Sequence, residues 1–314
     1  MLDVASKAFF QTLSHSQFLK QLASRYGMRG SLGFATRFIA GEDVDAAIGV
    51  VRRLEAQGLH HTLDHLGESV TTLEGTETCT REYLDLIRTI AGAGIERNIS
   101  LKLTQLGMDV DRAVCLDNLR RILAMAERQQ CFVRIDMESS KYTEATLEMF
   151  ETVWRHGSRN VGVVLQSCLY RTEQDFERVN RIGARVRLVK GAYREPKSVA
   201  YQKKSDVDGA YVRLAHRLLV EGTYPAIATH DVRIIEEVKR FAREHDIAPG
   251  RYEFQMLYGI RRDLQAALTG EGYRVRVYVP FGKEWFPYFM RRLGERPANV
   301  GFVLKNLLVE RQKA

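Results

Sequence analysis

Several features that mark particular protein classes are missing from this 314-residue chain. Its four cysteines, at positions 79, 115, 131 and 168, show no CxxC spacing, which disfavours a disulfide framework or a cysteine-based metal site. The HExxH, GxSxG and GxGxxG motifs are also absent, which argues against a zinc protease, a nucleophile-elbow hydrolase and a dinucleotide-binding half. No apolar run approaches the roughly 20 residues of a membrane span, and the N-terminus lacks an apolar signal region. We therefore expect a reduced, cytosolic protein whose membrane contact is peripheral.

Low-complexity tracts and linkers rich in proline, glycine or serine are missing as well, so nothing divides the chain internally. What it does have is 45% hydrophobic residues, enough for a large core, and a formal net charge of +8. That charge permits attraction to phosphates, acidic lipids or nucleic acid without choosing among them. Because no basic run or repeated aromatic-basic module occurs, we do not expect a nucleic-acid partner.

Eight short apolar runs alternate with polar segments that have helical spacing, as in RAVCLDNLRRILAMAERQQ. Eight such alternations predict a (β/α)8 TIM-type barrel, with a doubly wound open sheet as the alternative. We expect an N-terminal helical arm over residues 1–45, a catalytic barrel over residues 46–314 and a final helix that caps the barrel mouth. The runs begin at His60, Asn98, Cys131, Asn160, Arg185, Tyr224, Arg251 and Arg274.

Polar residues fall late in these runs, at the strand ends where barrel enzymes place their active sites. Lys102 and Asp136 are expected to form an ion pair beside the site, although either could be structural. Arg187 and Lys190 are three residues apart and should point to opposite faces of their strand. The full set comprises Asp64, Lys102, Asp136, Gln166, Arg187, Lys190, Tyr193, His230, Gln255 and Tyr278.

The last unit, RVRVYVPFGKEWFPYFMRRLGE, places Tyr278 on a strand and Arg291 and Arg292 on the helix that follows. Guanidinium groups bind carboxylates through paired donors, which suits a small carboxylate substrate. Arg-Arg pairs also occur elsewhere in this basic chain, so position rather than composition favours a functional role here. The aromatic side chains beside the pair are suited to forming a pocket wall.

Two other functions are open at this point. A strand-end lysine, Lys102 or Lys190, could form a Schiff base in an aldolase built on the same barrel. A basic protein could instead use its charge to bind nucleic acid, in which case binding would weaken steeply with salt.

The ordered motifs LKLTQLG, RIDMES, LQS, RLVKGAYREP, ATHD, EFQMLYG, YVPFG and YFMRRLGE resemble those of the proline dehydrogenase family over nearly the whole chain after residue 45. The length resembles the monofunctional bacterial form. The resemblance implies that FAD lies across the barrel mouth and oxidises L-proline to Δ1-pyrroline-5-carboxylate, the first step of proline catabolism to glutamate. It implies hydride transfer from proline C5 to flavin N5 and electron transfer to a membrane quinone.

The same resemblance assigns roles to individual residues. The substrate would be bound by Lys102, Asp136, Leu257, Tyr278, Tyr288, Arg291, Arg292 and Glu295. FAD would be bound by Gln166, Arg187, Lys190, Gly191, Ala192, Tyr193, His230 and Gln255. No metal is expected. The implied partners are a quinone, the inner face of the membrane as a peripheral contact, and a separate pyrroline-5-carboxylate dehydrogenase.

Overall fold

A computed structural model describes residues 35–295 of the chain, without the side chains of residues 293–295. Most of the predicted N-terminal arm therefore lies outside the described residues. The strands are β1 (His60–His65), β2 (Asn98–Leu101), β3 (Phe132–Ile135), β4 (Val161–Gln166), β5 (Arg185–Val189), β6 (Ala226–Ala228), β7 (Glu253–Leu257) and β8 (Val275–Phe281). The helices are α1 (Val44–Glu55), α2 (Leu73–Gly92), α3 (Arg112–Arg128), α4 (Ser140–Arg155), α5 (Thr172–Arg181), α6 (Lys204–Glu221), α7 (Val232–Glu244), α8 (Arg262–Gly270) and α9 (Trp285–Glu295).

The eight strands form a closed parallel barrel in sequence order, in which β1 pairs with both β2 and β8. Each predicted apolar run contains one of these strands, so the (β/α)8 prediction is confirmed. The alternative prediction of an open doubly wound sheet is wrong, because β1 and β8 would not pair with each other in an open sheet.

Strand β3 shows how the sequence produces this barrel. Successive side chains of a strand alternate between its faces, and parallel strands need apolar residues where helices cover them. Val133 and Ile135 are fully buried in the main hydrophobic core. Arg134 and Asp136 alternate with them, and Arg134 donates to the carbonyls of Val163 on the neighbouring β4 and of Arg185 on β5.

The barrel interior is unusually rich in charged groups, whereas branched aliphatic side chains fill most barrels of this kind. At the N-terminal end, buried Arg276 donates to Glu253 at 2.8 Å and to Glu96 at 2.8 Å. Gly162 leaves room for the Arg134 guanidinium, because a Cβ at this position would lie 2.5 Å from Arg134 Nη1. The interior is thus held by an arginine–carboxylate network around Arg276 and by an arginine, Arg134, that donates to backbone carbonyls.

Helix α9 packs near the C-terminal ends of the strands. Trp285 and its aromatic neighbours share a small apolar cluster with Phe38 and Leu66, and Trp285 Nε1 donates to Glu42 at 3.0 Å. Arg291 reaches Glu68 in the loop after β1. This placement agrees with the predicted cap over the barrel mouth.

Candidate active site

Asp136 is the centre of the buried network at the C-terminal end of the barrel. Its Oδ1 accepts from Arg187 Nη1 at 2.7 Å and its Oδ2 accepts from the Tyr278 hydroxyl at 2.7 Å. Arg187 also donates to Ser100 and lies over the Tyr278 ring, 5.3 Å from its centroid. Burial raises the pKa of Asp136, while Arg187 and Lys102 oppose that shift. Both oxygens of the carboxylate are therefore occupied by donors from β5 and β8.

The prediction that Lys102 and Asp136 form an ion pair is wrong. Lys102 Nζ instead donates to Asp64 Oδ1 at 3.2 Å, because Asp136 is already bound by Arg187 and Tyr278. Burial by itself lowers the pKa of Lys102, but Asp64 and Asp136 outweigh it and raise the pKa above its usual value. A lysine held as an ammonium is a poor Schiff-base nucleophile.

Lys190 lies just after β5, and Arg187 within that strand points into the barrel. The Lys190 amine is bound by Asp208 at 2.6 Å and by Asp231 at 3.4 Å, outside the barrel interior. The two cations thus lie on opposite faces, as their spacing predicts. With both candidate lysines in ion pairs, the geometry does not favour the aldolase alternative.

The paired arginines of α9 differ in their surroundings. Arg291 Nη1 donates to Glu68 Oε1 at 2.9 Å. Arg292 is buried, and its guanidinium carbon lies 5.0 Å from the ring centroid of Tyr288. Glu68 also acts electrostatically on Lys102, so Lys102 just after β2 and Arg291 of α9 share the influence of one carboxylate.

The other predicted substrate residues form the apolar side of this region. Leu257 packs against the α9 cluster that contains Tyr288, and Tyr278 lies on β8. Glu295 is the last residue of α9, and its side chain lies outside the described residues. The structure thus brings cations and apolar rings together at the mouth, as a small carboxylate substrate with an apolar ring requires.

Several predicted cofactor residues form an adjoining surface at the ends of β4 and β5. Gln166 is buried and donates to the Glu138 carbonyl at 2.9 Å. Gly191 has a φ of +110°, and a Cβ there would collide with Cys168 Sγ. Gly191 and Ala192 are both small and exposed, so they permit close approach of a bound group.

Three further cofactor candidates have different environments. Tyr193 is half-buried, and burial followed by Glu138 and Glu68 raises its pKa. His230 Nε2 accepts the Leu257 amide at 2.9 Å, which joins the ends of β6 and β7. The Gln255 amide donates to Glu253, so its side chain is directed toward the Glu253–Arg276 pair, deeper in the barrel.

Sequence reasoning gave no role to three carboxylates at the mouth. The sequence predicts Asp64 only as a strand-end residue, and neither Glu68 nor Glu138 is among the predicted site residues. Glu138 accepts from the backbone amide of Thr104 at 3.1 Å and from its hydroxyl at 2.6 Å, which links the loops after β2 and β3. Their positions could have identified two of them, because Glu68 and Glu138 each lie three residues beyond the end of a strand.

Within residues 35–295, no group of three or more histidine, cysteine or acidic side chains is arranged to hold a metal ion. In the same part of the chain, every helix is too short or too polar to cross a bilayer.

Residues 47–305 match the model of the family described as "Proline dehydrogenase". The chain is 43% identical over 302 residues to "Proline dehydrogenase 2" of Bacillus subtilis (strain 168), covering 96% of this chain and 98% of that protein. It is 42% identical over 312 residues to "Proline dehydrogenase" of Deinococcus radiodurans, covering 98% and 99%. Among solved structures, proline utilization A (PutA) from Bdellovibrio bacteriovorus inactivated by N-propargylglycine aligns with a TM-score of 0.78 at 26% identity, covering 83% of this chain and 32% of that one.

The family match spans most of the barrel, and the two curated relatives align over almost their full lengths. The site geometry described above, with cations beside apolar rings, agrees with a substrate of the size and charge of proline. The chain therefore belongs to the proline dehydrogenase family, flavin-dependent enzymes that catalyse the first step of proline catabolism.

Proposed function

We propose that this enzyme uses FAD to oxidise L-proline to Δ1-pyrroline-5-carboxylate and passes the electrons to a membrane quinone. The observation that carries the proposal is that Glu68 pairs with Arg291 of α9 and also acts on the charge of Lys102. The same helix carries Arg292 over the Tyr288 ring, in an apolar cluster against which Leu257 packs. The charged side suits the carboxylate of proline, and the apolar side suits its pyrrolidine ring.

The residues present fit a flavin dinucleotide. The exposed Gly191 and Ala192 permit close approach of a ring, and the side-chain amide of Gln166 lies beside Gly191. Lys190 and Arg187 lie on either side of β5, each paired with carboxylates, and we propose that their remaining donors serve the phosphates and a reduced anionic ring. FAD, when bound, supplies the electron acceptor that takes the hydride of proline C5 at its N5 atom. Tyr193 and His230 are proposed to complete its binding site, and Gln255 to contact it from the barrel interior.

The protein's own contribution is to orient the substrate. Arg291 and Arg292 are proposed to bind the proline carboxylate, with Lys102 as a third cation. A bound carboxylate must compete with Glu68 for Arg291, since these side chains are already paired at 2.9 Å. Such orientation of one reactant against another lowers the entropic part of the barrier.

Asp136 fixes the floor of the site. It holds Arg187 and Tyr278 at once, so the cation and the ring cannot turn away independently. Tyr278, Tyr288 and Leu257 are proposed to enclose the pyrrolidine ring and exclude bulkier amino acids. The substrate amine must be neutral to lose hydride, so we expect activity to fall at low pH. Glu295 is proposed to contribute from the end of α9.

The decisive experiment is a visible absorption spectrum of the purified protein, followed by anaerobic addition of L-proline. A flavin spectrum that bleaches with L-proline supports the proposal. A flavin that stays oxidised contradicts the substrate, and a colourless protein that FAD cannot reconstitute contradicts the cofactor. D-proline provides the matched control, because it has the same ring and charges in mirror arrangement.

We also propose a cytoplasmic enzyme that contacts the inner face of the membrane peripherally, where a quinone is accessible. The net charge of +8 supports attraction to anionic lipid. Its product needs a separate pyrroline-5-carboxylate dehydrogenase as the next enzyme. Flotation with anionic and neutral vesicles tests the membrane contact, and turnover with a soluble quinone tests the acceptor. If the protein floats with neither type of vesicle, the membrane contact is contradicted.

A further inference from the structure

Asp64 is a buried acid that the roles above leave unassigned. It lies near the C-terminal end of β1, where it pairs with Ser100 of β2 and Pro280 of β8. Its side chain is 1% exposed, and its Oδ1 accepts the hydrogen bond of Lys102 at 3.2 Å. Its Oδ2 is buried and has no hydrogen-bond partner within residues 35–295. In that part of the chain, Lys102 is thus the cation that compensates the charge of Asp64.

The dependence is mutual. Lys102 is buried, and other nearby carboxylates are engaged elsewhere: Asp136 binds Arg187 and Tyr278, and Glu68 binds Arg291. Among the described residues, Asp64 is the carboxylate within ion-pair distance of Lys102. A buried ammonium that loses its counter-charge tends to release its proton rather than remain charged.

We propose that Asp64 is a positioning residue, which holds the Lys102 ammonium charged and in place for the substrate carboxylate. This inference rests on the proposed function, in which Lys102 approaches the carboxylate of proline. Asp64 itself is not proposed to touch the substrate. Its effect on catalysis passes through Lys102 alone, so replacing Lys102 must change what a substitution of Asp64 does.

Charged and titratable groups face Lys102 from several elements. They are Asp64 and His65 on β1, Glu68 after it, Asp136 and Glu138 after β3, and Tyr193 after β5. Burial lowers the pKa of Lys102, and Asp64 is the strongest of the groups that raise it. Removing the charge of Asp64 therefore lets burial dominate. The amine then becomes neutral at a pH where the unaltered enzyme keeps it charged.

The test measures binding of cyclopentanecarboxylate to the FAD-loaded protein by titration calorimetry, from neutral pH to about pH 10. This ligand has the ring and carboxylate of proline but no amine, so its own charge is constant across the range. The unaltered protein should bind it with nearly constant affinity. Asp64→Asn should bind it about tenfold more weakly for each pH unit above the lowered pKa of Lys102.

The double variant Asp64→Asn/Lys102→Arg is the matched control, because a guanidinium stays charged throughout this range. It should lose the new pH dependence, and Asp64→Glu should restore most of the affinity at high pH. Asp64→Ser, which is smaller and leaves room for water, is a second neutral variant should the asparagine prevent folding. A flat profile in the neutral variants, or a pH dependence that persists in the double variant, would overturn the positioning role.

The proposed function is read out separately, by bleaching of the flavin of the unaltered enzyme with L-proline. Bleaching together with a flat Asp64→Asn profile rejects the role of Asp64 and keeps the function. Absence of bleaching rejects the function, whatever the calorimetry shows. If the unaltered protein does not bind the analogue, the carboxylate role of Lys102 fails and the inference about Asp64 fails with it.

Discussion

The two faces of the barrel strands are both buried, yet they differ in chemistry. On β3, Val133 and Ile135 belong to the aliphatic core, whereas Arg134, and Asp136 directly after the strand, belong to the charged interior. The outer face gains stability from apolar burial, which needs no particular partner. The inner face depends on specific pairs, because an unpaired buried charge costs several kcal/mol. Alternation along one strand thus places the apolar residues that stabilise the fold on one face and the charged residues of the site on the other. Each face can be tested without altering the other.

The largest expected effect comes from breaking an inner-face pair. Asp136→Ala leaves Arg187 buried without its carboxylate and frees the Tyr278 hydroxyl. We expect a loss of about 3 to 5 kcal/mol in unfolding free energy and a strong fall in proline turnover. Denaturant unfolding and steady-state kinetics measure the two effects. Asp136→Asn is the milder control, and a variant with normal kinetics would show that Asp136 is only structural.

The adjacent outer-face residue tests the other half of the comparison. Ile135→Ala removes apolar volume from the core between strands and helices, where Ile135 is fully buried. We expect a loss of about 3 kcal/mol in unfolding free energy, with the half-saturating proline concentration unchanged. Ile135→Val should cost about a third as much. A large change in proline affinity would mean that the two faces are not independent.

His61 is an exception on the outer face, since it is a fully buried titratable group there. Burial lowers its pKa from 6.5 to about 4. The unfolded chain therefore binds a proton more readily, so stability should decrease by at most about 3 kcal/mol as the pH falls from about 6.5 to about 4. Thermal unfolding across that pH range measures the decrease in stability. His61→Gln should flatten this part of the profile, and an unaltered slope would assign the acid sensitivity to other groups.

The smallest effects are expected for the two arginines of α9 at the mouth, where each variant removes one interaction with the substrate. Arg291→Ala and Arg292→Ala should each raise the half-saturating proline concentration by about 10-fold to 100-fold, because each removes a charge-assisted interaction worth about 1.5 to 3 kcal/mol. Kinetics with L-proline measure the change, and Arg120→Ala on the exposed face of α3 is the matched control. Retained proline affinity in both variants would contradict the carboxylate clamp.

The fold was largely predictable because its signal is local. A short apolar run indicates each strand, and apolar residues at three-to-four spacing indicate the helices. All eight strands fall within the predicted runs. The position of most candidate residues at the strand ends followed from the same pattern, since parallel strands end at one edge. The arm over residues 1–45 stays a prediction for its first 34 residues.

The pairings at the site were not predictable in the same way. Lys102 was expected to bind Asp136, but each residue found a partner on another strand. Glu68 was overlooked because it lies in a loop, although it pairs with Arg291, 223 positions along the chain. Alternation tells which side chains point inward, but not how far each reaches or which neighbour it meets.

The sequence by itself determined the barrel, the positions of the strand ends and the presence of cations near the mouth, because periodicity and composition act over a few residues. Tertiary structure decided that Lys102 is held by Asp64, that Arg187 and Tyr278 share Asp136, and that Arg291 meets Glu68. These contacts join segments far apart in the chain. They depend on the closure and register of the barrel, which only the packing of all eight units together can fix.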